Sequence, residues 1–133
     1  MYQEMREGIV SYFGGLTGHA FYTGTAGRLA YSRAPSTWET DYAVFSLENF
    51  VSASTFDATI EQGSVVFNCY ADDAEGADDL AADCVSMFGR QRVTVGSNPA
   101  PLYIQAINPA VQIGENENEL WNASVEFTIT AQR

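Results

Sequence analysis

The chain has 133 residues, 46% of them hydrophobic and 13% aromatic, which is enough for one continuous core and one domain. Acidic residues outnumber basic ones by 17 to 6, the formal charge is -11, and every basic residue is an arginine, at positions 6, 28, 33, 90, 92 and 133. The absence of lysine excludes a P-loop lysine and Schiff-base chemistry, the acidic excess argues against a grip on nucleic acid, and no run of roughly 18 apolar residues exists to span a bilayer.

The opening Met1, Tyr2, Gln3, Glu4 lacks the basic-then-apolar order of a secretory signal, so a cytosolic chain is expected. The sequon-like Asn122, Ala123, Ser124 then carries no glycan. Apolar groups at Tyr2, Met5, Ile9, Tyr12, Phe13 and Leu16 recur in steps of three and four, which predicts a first helix over residues 2–16. Gly14, Gly15 and Gly18 end it. The Gly-, Thr- and Ser-rich stretch at about 14–40 reads as a flexible arm with one short strand, near Phe21 or Leu29.

From Tyr42 the pattern alternates, predicting a strand over 42–50, a turn at Ser52 to Ser54, and a long strand from Thr55 to Tyr70. The apolar phase changes between Ile60 and Val65, which points to a bulge at Gln62, Gly63. Ala77, Leu80, Ala81, Cys84, Val85 and Phe88 form one helical stripe closed by Gly89. A short Val93, Thr94, Val95 run and a turn at Asn98, Pro99 follow, then two more strands, near Leu102 to Ile113 and Leu120 to Thr130, joined by the polar loop Gly114 to Glu119. The last strand sets Trp121, Ala123, Val125, Phe127 and Ile129 on one face against Asn122, Ser124, Glu126, Thr128 and Thr130 on the other, as an antiparallel sheet with one wet face requires. The expected fold is α+β: a mainly antiparallel β-sheet of about four strands with two helices packed on one face, in a single domain over 1–133.

Few groups offer chemistry. His19 is the lone histidine, in a Gly/Thr-rich loop where a solvated surface position is the plain reading, and no G-x-S-x-G elbow accompanies it. The acids Asp72, Asp73, Glu75, Asp78 and Asp79 open the second helix, where its dipole favours them, and no frame from Asp72 or Asp73 ends in the glutamate that a calcium loop needs. Cys69 and Cys84 fit no metal-ligand spacing and read as reduced core thiols, although a strand and the helix after it can pack closely enough for a bridge. The arm glycines match no phosphate-loop spacing, and Trp38 and Trp121 read as core or interface anchors. No cofactor, no metal and no catalytic residue are expected.

With these elements placed, the chain resembles the tail terminator, or tail completion, family of long-tailed bacteriophages. The likeness is carried by the amphipathic first helix leading through an irregular arm to Tyr42, Ala43, Val44, Phe45, Ser46, Leu47. Thr55, Phe56, Asp57 then opens a strand continuing through Val65, Val66, Phe67, Asn68, Cys69, Tyr70 into the small-residue helix Ala74 to Phe88, and a Trp-led last strand closes the chain. The resemblance implies a structural, non-enzymatic virion protein: a homo-oligomeric, hexameric ring that caps the tail tube protein, meets a head-tail connector protein and lets DNA pass without specific binding. Its place would be the head-proximal end of the tail, after assembly in host cytoplasm. On that reading Arg28, Arg33, Trp38, Arg90 and Arg92 are candidate subunit-interface residues, and Asp72, Asp73, Glu75, Asp78, Asp79, Glu115, Glu117 and Glu119 a candidate acidic lumen or rim surface. The alternatives are another head-tail connector component and a small-ligand-binding α+β domain.

Overall fold

The computed structural model describes residues 2–35, 37–38, 41–54, 59–89, 91–95, 100–106, 112–115 and 120–132, with side chains over 5–35, 37–38, 41–48, 62–89 and 120–129. The elements are α1 (Tyr2–Gly15), α2 (Ala20–Gly24), β1 (Leu29–Tyr31), β2 (Tyr42–Ser54), β3 (Thr59–Ala71), α3 (Ala74–Phe88), β4 (Gln91–Val95), β5 (Ala100–Ala106), β6 (Gln112–Glu115) and β7 (Trp121–Gln132). The expected α+β architecture is present.

The strands form one mixed sheet in the order β1-β2-β3-β7-β5-β4, with β6 also paired to β7. All pairings are antiparallel except β1 with β2, where Leu29 lies opposite Ala43 and Tyr31 opposite Phe45. The strands expected from alternation are its long members, and the shorter β1, β4 and β6 extend it. The predicted strand 102–113 is divided between β5 and β6, which lie end to end along β7. The sequence between them holds Pro109, which cannot donate to a ladder. The Val93 to Val95 run belongs to the edge strand β4, and Gly114 and Glu115, read as loop, end β6.

The irregularity in the long hairpin lies in β2, not at Gln62, Gly63. The register shifts between Glu48 and Val51, whereas β3 pairs with β7 without a break from Ile60 to Ala71. The phase change needs no extra residue: positions 60 and 65 stand five apart on an unbroken strand and so belong to alternate series, of which the inward one, Gly63, Val65, Phe67, Cys69, Ala71, is buried. The predicted turn at Ser52 to Ser54 is strand, and residues 55–58 lie outside the described residues.

One core joins the helices to the sheet. Met5, Ile9 and Phe13 of α1, Phe21 of α2 and the α3 stripe Ala77, Leu80, Ala81, Cys84, Met87, Phe88 are buried with the inward residues of β2, β3 and β7. At its centre Phe67 stacks on Phe88, with ring centroids 4.7 Å apart. Burying these aromatic rings, each worth several kcal/mol, is the main force that fixes α3 on the sheet. α1 is held to the end of α3 by the Tyr12 hydroxyl, which donates to the Met87 carbonyl at 3.2 Å, and reaches the far sheet edge where the Arg6 guanidinium lies 5.1 Å from the Tyr31 ring centre.

The Gly-rich segment carries more structure than its composition implies. Phe21, one of two positions expected in a strand, lies instead on α2 and is fully buried, while Leu29 opens β1 as expected. Thr25 closes α2 as a buried cap whose hydroxyl donates to the Phe21 carbonyl at 2.9 Å. α3 starts at Asp73, whose carboxylate accepts from the Gly76 amide at 2.6 Å, and ends at Gly89, whose amide donates to the Val85 carbonyl at 2.8 Å. A Cβ on Gly89 would lie 2.6 Å from that same oxygen, so only glycine allows the chain to leave the helix here.

Candidate interaction surface

The outward face of the sheet is aromatic at one end and polar along its length. Tyr42 and Tyr70 are cross-strand partners with stacked rings 5.0 Å apart, and Trp38 extends the row with its ring 5.9 Å from Tyr42. Beside them the Ser124 hydroxyl donates to Asn68 Oδ1 at 2.6 Å. Two further acceptors on this face, Asn122 Oδ1 and Thr128 Oγ1, are shielded from solvent and have no hydrogen-bond partner among the described residues. An unmet buried acceptor costs about 1–3 kcal/mol. Burial pushes the Tyr70 phenol above its ordinary range, and Tyr42 and Cys69 add to the shift.

Next to the aromatic row lies a mixed-charge corner. Asp41 is half-buried, and burial pushes its carboxyl up; Asp72 raises it further, Arg28 opposes, and Asp73 adds a smaller push. Arg28 Nε also donates to the Thr25 carbonyl at 3.3 Å, so this guanidinium stabilises the arm within its own chain. Arg33 is exposed just past Ser32, a residue with φ of 66° whose amide donates to the Phe45 carbonyl and so turns the chain off β1.

Of the predicted interface set, the structure therefore brings Arg28, Arg33 and Trp38 to one edge of the sheet. Arg92 is on β4, opposite Tyr103 and across the sheet from β1, and Arg90 lies outside the described residues. Of the acidic set, Asp72, Asp73, Glu75, Asp78 and Asp79 are exposed at the start of α3. Glu115 ends β6 opposite Trp121, and Glu117 and Glu119 lie outside the described residues. Sequence reasoning passed over Asp41 and the Tyr42–Tyr70 pair. Both depend on contacts between elements, and the hairpin register alone could have pointed to the pair.

His19 is a helix cap rather than a free surface group. Its Nδ1 accepts from the Phe21 amide at 3.0 Å, and Nε2 faces the Ser86 hydroxyl at 3.5 Å. A neutral ring that accepts at Nδ1 carries its proton on Nε2, so it cannot take a proton from Ser86. This pair is not a nucleophile and base. Among the described residues no group of three or more His, Cys, Asp or Glu could hold a metal ion, and no helix is long and apolar enough to cross a membrane.

No family model matches the chain, and no curated protein matches it. Solved structures do. A chain from the virion of a native gene transfer agent particle superposes with a TM-score of 0.71 at 14% identity, covering 92% of both chains. A second solved chain, which carries no functional description, gives a TM-score of 0.56 at 13% identity over 96% of both chains. At these identities the likeness is one of fold.

Proposed function

We propose that this chain is a structural virion protein of a tailed bacteriophage, and specifically the tail terminator: a subunit of a ring that closes the tail tube and joins it to the head connector. The observation that carries the reading is the end-to-end likeness of fold to a chain of a virion particle. The order of elements in the sequence supports the finer role, and the surface chemistry is of a kind that suits it. An aromatic row with unmet acceptors beside it is a docking surface, since aromatic anchors and satisfied polar groups at the centre of an interface supply most of its energy.

On this reading the interface is heterologous and cyclic, with the arginine-bearing edge of one copy meeting carboxylates of the next. The acids at the start of α3 line the lumen or rim. A hexamer of chains at -11 each carries on the order of -66, which repels a sliding phosphate backbone, so DNA passes without being held. The chain is not an enzyme on this reading.

Electron microscopy of particles bearing a tag on this chain tests the proposal. A single ring of label at the junction of head and tail is the expected result. Label spread along the tail, or one copy per particle, would overturn the ring. Label within the connector rather than on the tube end would transfer the chain to a neighbouring head-tail component.

A further inference from the structure

β3 and α3 each deliver one cysteine to the core, and the two meet there. Cys69 holds an inward position on β3 between Phe67 and Ala71, and Cys84 sits on the apolar stripe of α3. Both are free thiols, fully buried in the same core where α3 packs on β3. We propose that Cys69 and Cys84 are a latent disulfide site, in which two-electron oxidation by a small-molecule disulfide staples α3 to β3 through the core.

The positions favour a bridge over the alternatives. A strand packed under the helix that follows it brings inward positions of the two elements together, as a disulfide needs. A mixed disulfide with the reagent has no comparable fit. At fully buried positions among Phe67, Phe88 and their neighbours, an attached tripeptide would have to displace the core, so the second thiol is driven to expel it.

The chemistry balances within the pair and its oxidant. One cysteine thiolate attacks a sulfur of the reagent, whose S–S bond breaks and releases one reagent thiol. The other cysteine then attacks the protein sulfur of the mixed disulfide, forming the Cys69–Cys84 bond and releasing the second reagent thiol. The two cysteines lose two protons and two electrons, and the reagent takes up both. Either cysteine serves as first attacker and the other as the resolving group, since both are closed off until the core opens.

Full burial also sets the timing, because a thiol closed off from solvent reacts only when the core opens. The site therefore stays reduced in a reducing cytosol and oxidises slowly outside it. For a protein made inside a cell and used in a released particle, which is the reading proposed above, that sequence leaves folding and assembly unstapled and hardens the finished subunit. The thiol chemistry itself does not depend on that reading.

The test uses the full chain and oxidised glutathione. The protein is incubated with the reagent at a urea concentration at the foot of its unfolding transition, so that access is not limiting, then returned to native buffer and labelled with a maleimide under denaturing conditions. The expected product takes up no label, weighs less than the reduced chain by two hydrogens, and yields a peptide joining positions 69 and 84. Closing a loop of about 15 residues should raise Tm on the order of 10 °C, reversed by reductant. Cys69→Ala and Cys84→Ala variants should show no such reversible rise. Two labelable thiols after oxidation, a persistent glutathione adduct, a disulfide between chains, or a bridged chain with lowered Tm would each overturn the proposal.

Discussion

Replacing Phe67 with alanine should cost more stability than any single change on the outer face of the sheet. The ring is fully buried and touches rings from four other elements: Phe88 at 4.7 Å, Phe45 and Phe127 at 5.7 Å, and Phe21 at 6.4 Å. Phe→Ala substitutions in cores cost about 3–5 kcal/mol, and the cost is highest where the walls cannot collapse. Here one wall is a sheet held by paired strands on both sides of β3, so the upper half of that range, about 4–5 kcal/mol, applies. An unfolding entropy of about 2.1 cal/mol/K per residue amounts to about 0.28 kcal/mol/K for 133 residues, so Tm falls by about 15 °C. Urea unfolding followed by circular dichroism, at one fixed protein concentration because assembly would shift Tm, measures the loss. A double-mutant cycle with Phe88→Ala should return a coupling of about 0.5–1.5 kcal/mol for the stacked pair. A loss under about 1 kcal/mol for Phe67→Ala would falsify the placement of this ring at the centre of the core.

Asp73→Ala removes the carboxylate that caps α3 and should lower stability by about 1 kcal/mol, with Asp73→Asn recovering most of it; equal losses in the two variants would mean that charge rather than the cap matters. Gly89→Ala forces a Cβ to within 2.6 Å of the Val85 carbonyl oxygen and should cost about 1–3 kcal/mol, read in the same urea titration, where a neutral result would mean that the chain leaves α3 by another path. Asp41 has its carboxyl raised above its ordinary value of 3.8 by burial and by its acidic neighbours, so its protonated form favours the fold below that value and the gain is lost as pH rises through the raised one. Asp41→Asn keeps a neutral side chain throughout, and its advantage over the parent should grow from about pH 4 to neutrality, staying within about 0.5 kcal/mol because solvent screens this half-buried group; a variant less stable at pH 7 than the parent would show that Arg28 outweighs the acids. Assembled rings mixed with double-stranded DNA at about 10 mM salt should not retain it, and micromolar retention that weakens steeply with added salt would contradict a repelling channel.

Much of the architecture was legible because it rests on periodicity that a single chain carries openly. The stripe of α3 and the alternation of β7 are read directly: Leu80, Ala81, Cys84 and Phe88, and Ala123, Val125, Phe127 and Ile129, are all buried as their spacing requires. The acids around the start of α3 were likewise readable, since a helix N-terminus favours them wherever it sits in the fold. α2 was not legible. Five residues are too few to show a period, and its ends are settled by the His19 ring and the Thr25 hydroxyl, each satisfying backbone groups that only the folded turn presents.

Which side chains share the candidate surface was decided by tertiary structure alone, and the hairpin shows why. Counted back from Ser54 opposite Thr59, an unbroken ladder would set Tyr42 opposite Ala71; the shift between Glu48 and Val51 sets it opposite Tyr70 instead and creates the stacked pair. One residue in β2 thus chooses between an aromatic pair and an aromatic–alanine mismatch, because side chains alternate faces with a period of two. The meeting of Asp41 with Asp72, Asp73 and Arg28, and of Cys69 with Cys84, has the same origin. Local sequence determined the elements and their buried faces through propensity and hydrophobic period, while strand register and helix docking, which depend on packing between residues far apart in the chain, determined which polar and reactive groups became neighbours.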